Sequence, residues 1–351
     1  MSNQCLSKDN KALRNRQPAG PHLGTMSQCS SALHSEVHLL AHRPFRPSTR
    51  RHPAPCRKSI RTRAGPVKEA ERPASDAATK TLNEGIAKFY DESSGLWESM
   101  WGEHMHHGYY PKDGPSKSNL EAQIDMIDES LRWAGIDQAT EMVDVGCGIG
   151  GSSRHIAKKF GCRAEGITLS PVQAARANSI SQSQGLGSKV NYQVADALHQ
   201  PFRDGQFDLI WSMESGEHMP DKAQFIKELT RVCKPGGKIL IVTWCHRNLQ
   251  PGEAKLKDNE EALLDSICKA YYLPKWCSVN DYEELCKANG LQGIRTADWS
   301  EEVAPFWGAV IKSALSAQGF MGLFKAGITT IKVGRQPQFD CVKGHQCDKI
   351  S

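Results

Sequence analysis

Val143-Asp144-Val145-Gly146-Cys147-Gly148-Ile149-Gly150-Gly151 reads as a buried strand running into a glycine-rich cradle. Met142, Val143 and Val145 suit a parallel strand covered on both faces. The glycines permit backbone conformations closed to other residues and let a ligand approach the main chain. Ser152 and Ser153 are placed to cap the helix that carries His155-Ile156-Ala157-Lys158-Lys159, whose N-terminus would face that ligand.

The glycine spacing is G-x-G-x-G-G, whereas the dinucleotide fingerprint is G-x-G-x-x-G. A pyrophosphate needs a helix N-terminus open to an anion, and Asp144 is an odd neighbour for one. It suits instead a cationic amino-acid ligand such as S-adenosylmethionine (SAM), which carries a sulfonium and no phosphate.

Outward from this loop, strands are expected at 141–147, 163–169, 189–195, 207–213 and 238–244. A helical stripe is expected over Leu120 to Trp133. Ser170-Pro171 supply a cap and a first-turn proline for a helix at 172–184, and the helix Lys222 to Val232 stops at Lys234-Pro235-Gly236-Gly237. Such β-α-β alternation predicts a doubly wound, mostly parallel sheet with helices on both faces, its ligands lying off the C-terminal strand ends. The strand-end candidates for cofactor binding are Val143, Asp144, Val145, Gly146, Cys147, Gly148, Ile149, Gly150, Thr168, Leu169, Asp196, Ala197 and Met213. Asp196 can accept a hydrogen bond from an adenine amino group; by itself it is equally a turn or cap residue.

Charge is unevenly distributed. Residues 1–75 hold 14 Lys/Arg against 4 Asp/Glu, a net of +10, whereas the remaining 276 residues hold 30 against 35, a net of −5. The body therefore lacks a large basic surface, which argues against a nucleic-acid enzyme. The first 75 residues are rich in Arg, Ser, Pro and Ala and show no sustained helical or strand period, the composition of a disordered organellar transit peptide. A disordered basic tail has a similar composition. Cleavage is expected between about 50 and 80, where the composition changes. No run of 18 apolar residues occurs, so no transmembrane helix is expected. The 12 cysteines contain no C-x-x-C, and Cys268, Cys277 and Cys286 fit no common zinc spacing, so reduced thiols and no metal are expected.

With these features in place, the body resembles the class I SAM-dependent methyltransferases, Rossmann-like in fold, and more narrowly the γ-tocopherol methyltransferases of plants and algae. The resemblance rests on Phe89-Tyr90-Asp91 through Trp101-Gly102-Glu103-His104-Met105-His106-His107-Gly108-Tyr109-Tyr110, on the loop 143–151, on Gly166-Ile167-Thr168-Leu169-Ser170-Pro171 and on Arg231-Val232-Cys233-Lys234-Pro235-Gly236-Gly237. It implies a methyltransferase domain over 76–332 and methyl transfer from SAM to a ring carbon of γ-tocopherol, giving α-tocopherol, or of δ-tocopherol, giving β-tocopherol. The implied partner is a prenylated chromanol, with peripheral contact to a plastid membrane at the inner envelope or plastoglobule. Loss of the phenolic proton drives electron density onto the ortho carbon, so a general base is wanted. His106, His107, His218 and Glu214 are its candidates, with substrate positioning as their alternative role.

One departure concerns the second strand, where many class I enzymes end in an acid that grips the ribose. Thr168 stands there, with Glu165 inside the strand, so the ribose contact falls to a hydroxyl, a backbone group or Gln173. The stretch from Glu302 to Asp340 is apolar and aromatic between its ends, and suits either a lid over an isoprenoid tail or an ordinary core helix pair. After Lys332 the chain leaves the family pattern, and 333–351 is a polar tail without a strand. The final antiparallel strand is therefore expected to be missing, leaving an unpaired edge inside the sheet. Related readings remain: methylation of an alkaloid nitrogen or a sterol, or a catalytically impaired SAM-binding isoform.

Overall fold

The computed structural model describes residues 35–44, 102–270 and 273–306, together with Gly85, Asp91, Ser94, Gly95 and Glu98. Most of the expected leader, the greater part of the aromatic 302–340 stretch and the tail 333–351 lie outside the described residues.

Seven strands form one sheet. They are β1 (Ser35–His42), β2 (Glu141–Val145), β3 (Arg163–Thr168), β4 (Val190–Val194), β5 (Phe207–Met213), β6 (Cys233–Cys245) and β7 (Gln292–Asp298), in the order β4-β3-β2-β5-β6-β1-β7. Strands β2 to β6 are mutually parallel, while β1 runs antiparallel to both β6 and β7. One face is covered by α1 (Asn119–Ala134), α2 (Gly151–Phe160) and α3 (Pro171–Ser183), through Met126, Ile127, Leu131, Ile156, Ala157 and Ala177. The other is covered by α4 (Lys222–Val232) and α6 (Val279–Ala288), through Phe225, Ile226, Leu229, Tyr282 and Cys286. Between these two, α5 (Asp258–Ala270) anchors a small satellite cluster with Leu256, Leu264 and Trp276. No described helix is long and apolar enough to cross a membrane.

Local chemistry sets the element ends. Ser118 and Glu121 form a reciprocal capping box at the start of α1, and Gly135 closes it in the left-handed conformation. Ser170 and Pro171 open α3 as expected. Ser152 and Ser153 do not cap α2: that helix already begins at Gly151 behind Gly150, and Ser153 turns inward to Asp144. Strand β6 starts at Cys233, five residues before the expected 238, because Lys234-Pro235-Gly236-Gly237 continues as a bulged strand against β5.

Two expectations are overturned at β1. Disorder throughout residues 1–75 does not hold for 35–42, and the inner sheet position is not left unpaired. Ser35 to His42 pairs with β6 over eight successive residues and lies between β6 and β7, where the missing final strand was expected. Val37, Leu39 and Ala41 enter the core beneath α4 and α6, and Leu40 enters the opposite core beside α1. Full burial of Val37, Leu39 and Leu40 contributes about 1.5–3 kcal/mol each. Beyond the strand, the Arg43 N–H donates to the Gly237 carbonyl at 3.1 Å and the Gly236 N–H to the Arg43 carbonyl at 2.7 Å. His38, buried on both sides, stacks on Trp299 with ring centres 3.7 Å apart, and burial drives its pKa down to about 3, so it packs as a neutral ring.

Candidate functional site

The C-terminal ends of β2, β3 and β5, with the segment after β4, open onto one cavity of about 1020 Å³ counted out to its mouth. Asp144, Gly146, Cys147, Gly148 and Ile149 line it from the first loop, Thr168 and Leu169 from the second, Asp196 and Ala197 from the third, and Met213 and Glu214 from the fourth. His106 and His218 line it as well. Four of the sequence candidates do not. Val143 and Val145 point into the core beneath α4, Gly150 is packed under Tyr192, and His107 sits behind Glu214. The alternation of a strand accounts for the valines: Asp144 faces one way and its two neighbours the other.

The glycine loop is held by contacts that permit no side chain. Gly146 has φ +84°, and a Cβ there would lie 2.2 Å from that of Ser215. Ser215 in turn donates its hydroxyl to the Val145 carbonyl at 2.7 Å. Asp144 accepts a hydrogen bond from the Ser153 hydroxyl at 2.5 Å. Burial outweighs that bond and raises the Asp144 carboxyl to about 6. Arg154, itself buried, donates to the Ile149 carbonyl at 2.6 Å and to Glu103 at 3.0 Å, clamping the loop to the histidine segment.

At the second strand end, Thr168 donates its hydroxyl to the Gln173 amide oxygen at 2.8 Å, while the Gln173 amide reaches Ser94 at 3.1 Å. Ser170 bonds Asp91. Thr168, Gln173 and Ser170 all line the cavity. Glu165 is absent from its walls and accepts from Asn191 on the neighbouring strand instead. Asp196 takes the turn part weighed from sequence, its Oδ1 accepting the Leu198 N–H at 2.9 Å, and it also lines the cavity.

The histidine segment is fixed from beneath by α1. Gln123 donates from one amide nitrogen to the carbonyls of His104 at 2.8 Å and His106 at 2.9 Å. The Tyr109 N–H bonds the Ala122 carbonyl at 2.8 Å, and Gly108 leaves no space for a Cβ, which would meet Ala122 at 2.5 Å. These anchors separate the histidines. His106 bonds the His107 carbonyl through Nδ1 at 2.9 Å, which fixes the proton on that nitrogen. Its Nε2, buried and without a partner among the described residues, then carries a lone pair. Burial lowers the His106 pKa, keeping the ring neutral, and burial also lowers His104 to about 2 and His218 to about 4.

His107 groups with two carboxyl groups. Its N–H donates to Glu214 Oε1 at 2.7 Å and its ring Nδ1 meets Glu214 Oε2 at 2.7 Å. Glu36, from β1, lies 3.7 Å from the same Nδ1. One ligand atom from each of the three lies within 4.8 Å of the others. Glu214 is the only non-glycine residue with positive φ among those described, at +49°, a strained conformation that aims its side chain. Burial pushes its carboxyl up, but the His107 ring and the two hydrogen bonds prevail and hold it below the usual range. Glu36 is raised well above that range by burial and by the charges of Glu214, Glu217 and Asp298. Glu217 is raised to about 7, first by burial and then by Glu214.

The cavity fits SAM on this chain's own residues: a buried acid at the glycine loop, a main-chain cradle without side chains, a hydroxyl–amide pair at Thr168 and Gln173, and an acid at Asp196. Sequence reasoning missed the wall residues Glu103, His104, Met105 and Leu198, which have no spacing of their own. It also missed Glu36, because composition was averaged over the whole leader.

A methyltransferase-domain family model matches residues 143–241. The chain is 57% identical over 269 residues to the chloroplastic tocopherol O-methyltransferase of Arabidopsis thaliana, covering 74% of this chain and 77% of that protein. It is 59% identical over 258 residues to a rice (Oryza sativa subsp. japonica) protein described as a tocopherol O-methyltransferase of the chloroplast, covering 72% and 71%. In fold it is similar to the geranyl diphosphate C-methyltransferase of Streptomyces coelicolor A3(2), solved with Mg2+, geranyl diphosphate and S-adenosyl-L-homocysteine. That match has a TM-score of 0.57 at 24% identity over 70% of this chain and 92% of the other.

Proposed function

The chain belongs to the tocopherol methyltransferase family, and we propose that it transfers the methyl group of SAM to a ring carbon of γ-tocopherol, or of δ-tocopherol, in a plastid. The observation that carries this reading is that a single cavity joins the cofactor-type strand ends to His106, Glu214 and His218. Bound SAM supplies an electrophilic methyl on a cationic sulfur. Asp144 and the main chain of Gly146 and Gly148 would hold its amino-acid end, Thr168 and Gln173 its ribose, and Asp196 its adenine.

What the protein supplies is position and a proton acceptor. His106 is the first choice for the base. Its ring is neutral, its Nδ1 proton is committed to the His107 carbonyl, its Nε2 has no partner among the described residues, and the residue lines the cavity. It takes the phenolic proton, and the electron pair released into the ring makes the ortho carbon nucleophilic. A new carbon–carbon bond forms there as the methyl–sulfur bond breaks, its electron pair leaving on sulfur as the neutral thioether of S-adenosylhomocysteine. The ring proton at that carbon then leaves, which restores aromaticity, and the oxygen regains a proton, so one proton is released per methyl transferred. Glu214, held ionised by His107, places a negative charge beside this path and steadies the protonated His106. A carboxylate there also favours the approach of a cationic donor.

The plastid assignment draws on the chloroplastic relatives and on the basic leader, and membrane contact at the inner envelope or plastoglobule draws on the prenylated acceptor alone. The test is a single-turnover assay of the full chain with labelled SAM, comparing γ-tocopherol, δ-tocopherol and the methyl ether of γ-tocopherol. Methylation of the free phenols and none of the ether supports the reading. Equal methylation of the ether, which has no proton to lose, overturns the role given to the base.

A further inference from the structure

Strand β1 comes from the segment whose composition reads as a removable leader, yet it occupies an inner position of the sheet. It pairs with β6 from Ser35–Cys245 to His42–Lys238 and with β7 on its other side. A segment that merely rested against the domain would not place Val37, Leu39, Leu40 and Ala41 at 0–3% exposure in two opposite cores. The alternation of the strand puts Val37, Leu39 and Ala41 on one face and Glu36, His38 and Leu40 on the other. It therefore turns Glu36 toward the histidine segment, beside the C-terminal end of β6 where it pairs with Trp244.

Glu36 is fully buried, and among the described residues neither of its carboxyl oxygens has a hydrogen-bond partner. Its backbone is fully used, with the N–H donating to the Ser300 hydroxyl at 3.0 Å and the carbonyl accepting from Trp299 at 2.9 Å. An unpaired acid in such a place is costly, and an apolar residue of the same size would be cheaper. Its Oε2 lies 3.7 Å from the His107 Nδ1 that also bonds Glu214.

We propose that β1 is a permanent part of the working enzyme, and that Glu36 on it is a positioning residue that fixes the His107 ring against Glu214 from behind the cavity. Two carboxyl groups on the same side of the imidazole keep its proton on Nδ1, so Glu214 stays an acceptor and stays ionised. Glu36 is neutral in this role, which agrees with its raised pKa, so a neutral amide can stand in for it. The titratable groups that face it are His107, Glu214, Glu217 and Asp298. It also follows that the import leader ends before Ser35. This inference rests on the proposed methyl transfer only for its kinetic readout.

The test uses the full chain. Limited proteolysis followed by mass spectrometry of the resistant core is expected to retain 35–44, still bound if the following linker is cut. A core that has lost 35–44 and melts as before overturns the retained strand. Glu36→Met and Glu36→Gln are then compared for melting, for SAM affinity, for kcat with γ-tocopherol and for the His107 ring nitrogen signals in NMR. The Met variant is expected to melt no lower than the parent, to bind SAM equally, to lose about tenfold or more in kcat and to shift the His107 Nδ1 signal. The Gln variant is expected to restore most of both losses. Unchanged kcat and unchanged His107 signals in the Met variant overturn the role of Glu36. So does a marked fall in its melting temperature, which would give the carboxyl a purely structural part. If the parent chain methylates no tocopherol, the proposed acceptor fails, while the proteolysis and the His107 signals still decide this inference.

Discussion

His107 holds Glu214 twice, by its backbone N–H to Oε1 and by its ring Nδ1 to Oε2, both at 2.7 Å. The two anchors explain how Glu214 tolerates φ +49° at the cavity wall, since strain of this kind persists only where neighbours over-determine it. They also leave the carboxylate oriented before any ligand arrives, which is the condition under which a fixed charge serves catalysis. Glu214→Ala is expected to lower kcat about 100-fold, with SAM affinity within about threefold of the parent. Isothermal titration and steady-state rates read the two separately, and a loss in SAM affinity equal to the loss in kcat would contradict the assignment.

His106→Asn keeps a polar group able to bond the His107 carbonyl but removes the Nε2 lone pair. The expected outcome is a fall in kcat of about 100-fold or more, with an unchanged melting temperature. Rates within about twofold of the parent would move the base to His218, another neutral histidine on the cavity wall.

Gly146 faces Ser215 with no space for a methyl group. Gly146→Ala is expected to weaken SAM binding by about 100-fold, because the loop must shift by ångströms and the residue must also leave φ +84°. Equilibrium binding of SAM is the measurement, and near-parental affinity would show that the cradle lies elsewhere.

Burial raises the Asp144 carboxyl to about 6, while in an unfolded chain such a group titrates near about 3.9. The folded apo protein therefore favours the protonated form. Its contribution to stability is complete below the unfolded value and is lost as pH rises through about 6. A cationic ligand reverses the preference. SAM affinity is expected to rise between about pH 5 and pH 7 and then level off, and Asp144→Asn is expected to flatten that rise. Affinity that is independent of pH in the parent would argue against contact between Asp144 and the cationic end of the ligand.

Leu39 is 2% exposed within β1. Leu39→Asp in the full chain is expected to cost about 4 kcal/mol or more, since it buries an unpaired charge between β6 and β7. Chemical denaturation measures this, and a change below about 0.5 kcal/mol, as at a surface site, would show that the strand does not belong to the sheet.

Much of this architecture was legible in the residues. Phe207–Met213 and Lys222–Val232 have the expected boundaries, because an apolar run bounded by turns and a capped amphipathic helix each carry a local signal. Most of the cavity wall at the strand ends followed from the rule that ligands gather there. Val143 and Val145 were misplaced because the loop was read as a unit, without the alternation that turns them into the core. β1 escaped for a different reason. With both faces buried it shows no polar–apolar alternation, and His38 and His42 interrupt its apolar run; His38 proves to be a neutral ring stacked on Trp299. Nor does any local pattern announce that Glu36 and His107, 71 positions apart, share one nitrogen's surroundings.

The position of the transferred methyl group tests the central claim most directly. The full chain is incubated with γ-tocopherol and SAM labelled with carbon-13 in the methyl group, and the product is read by NMR. The account predicts a single new aryl-methyl signal on a product that keeps its free phenol. A methyl ether signal, or no product from a folded protein that binds SAM, would contradict it.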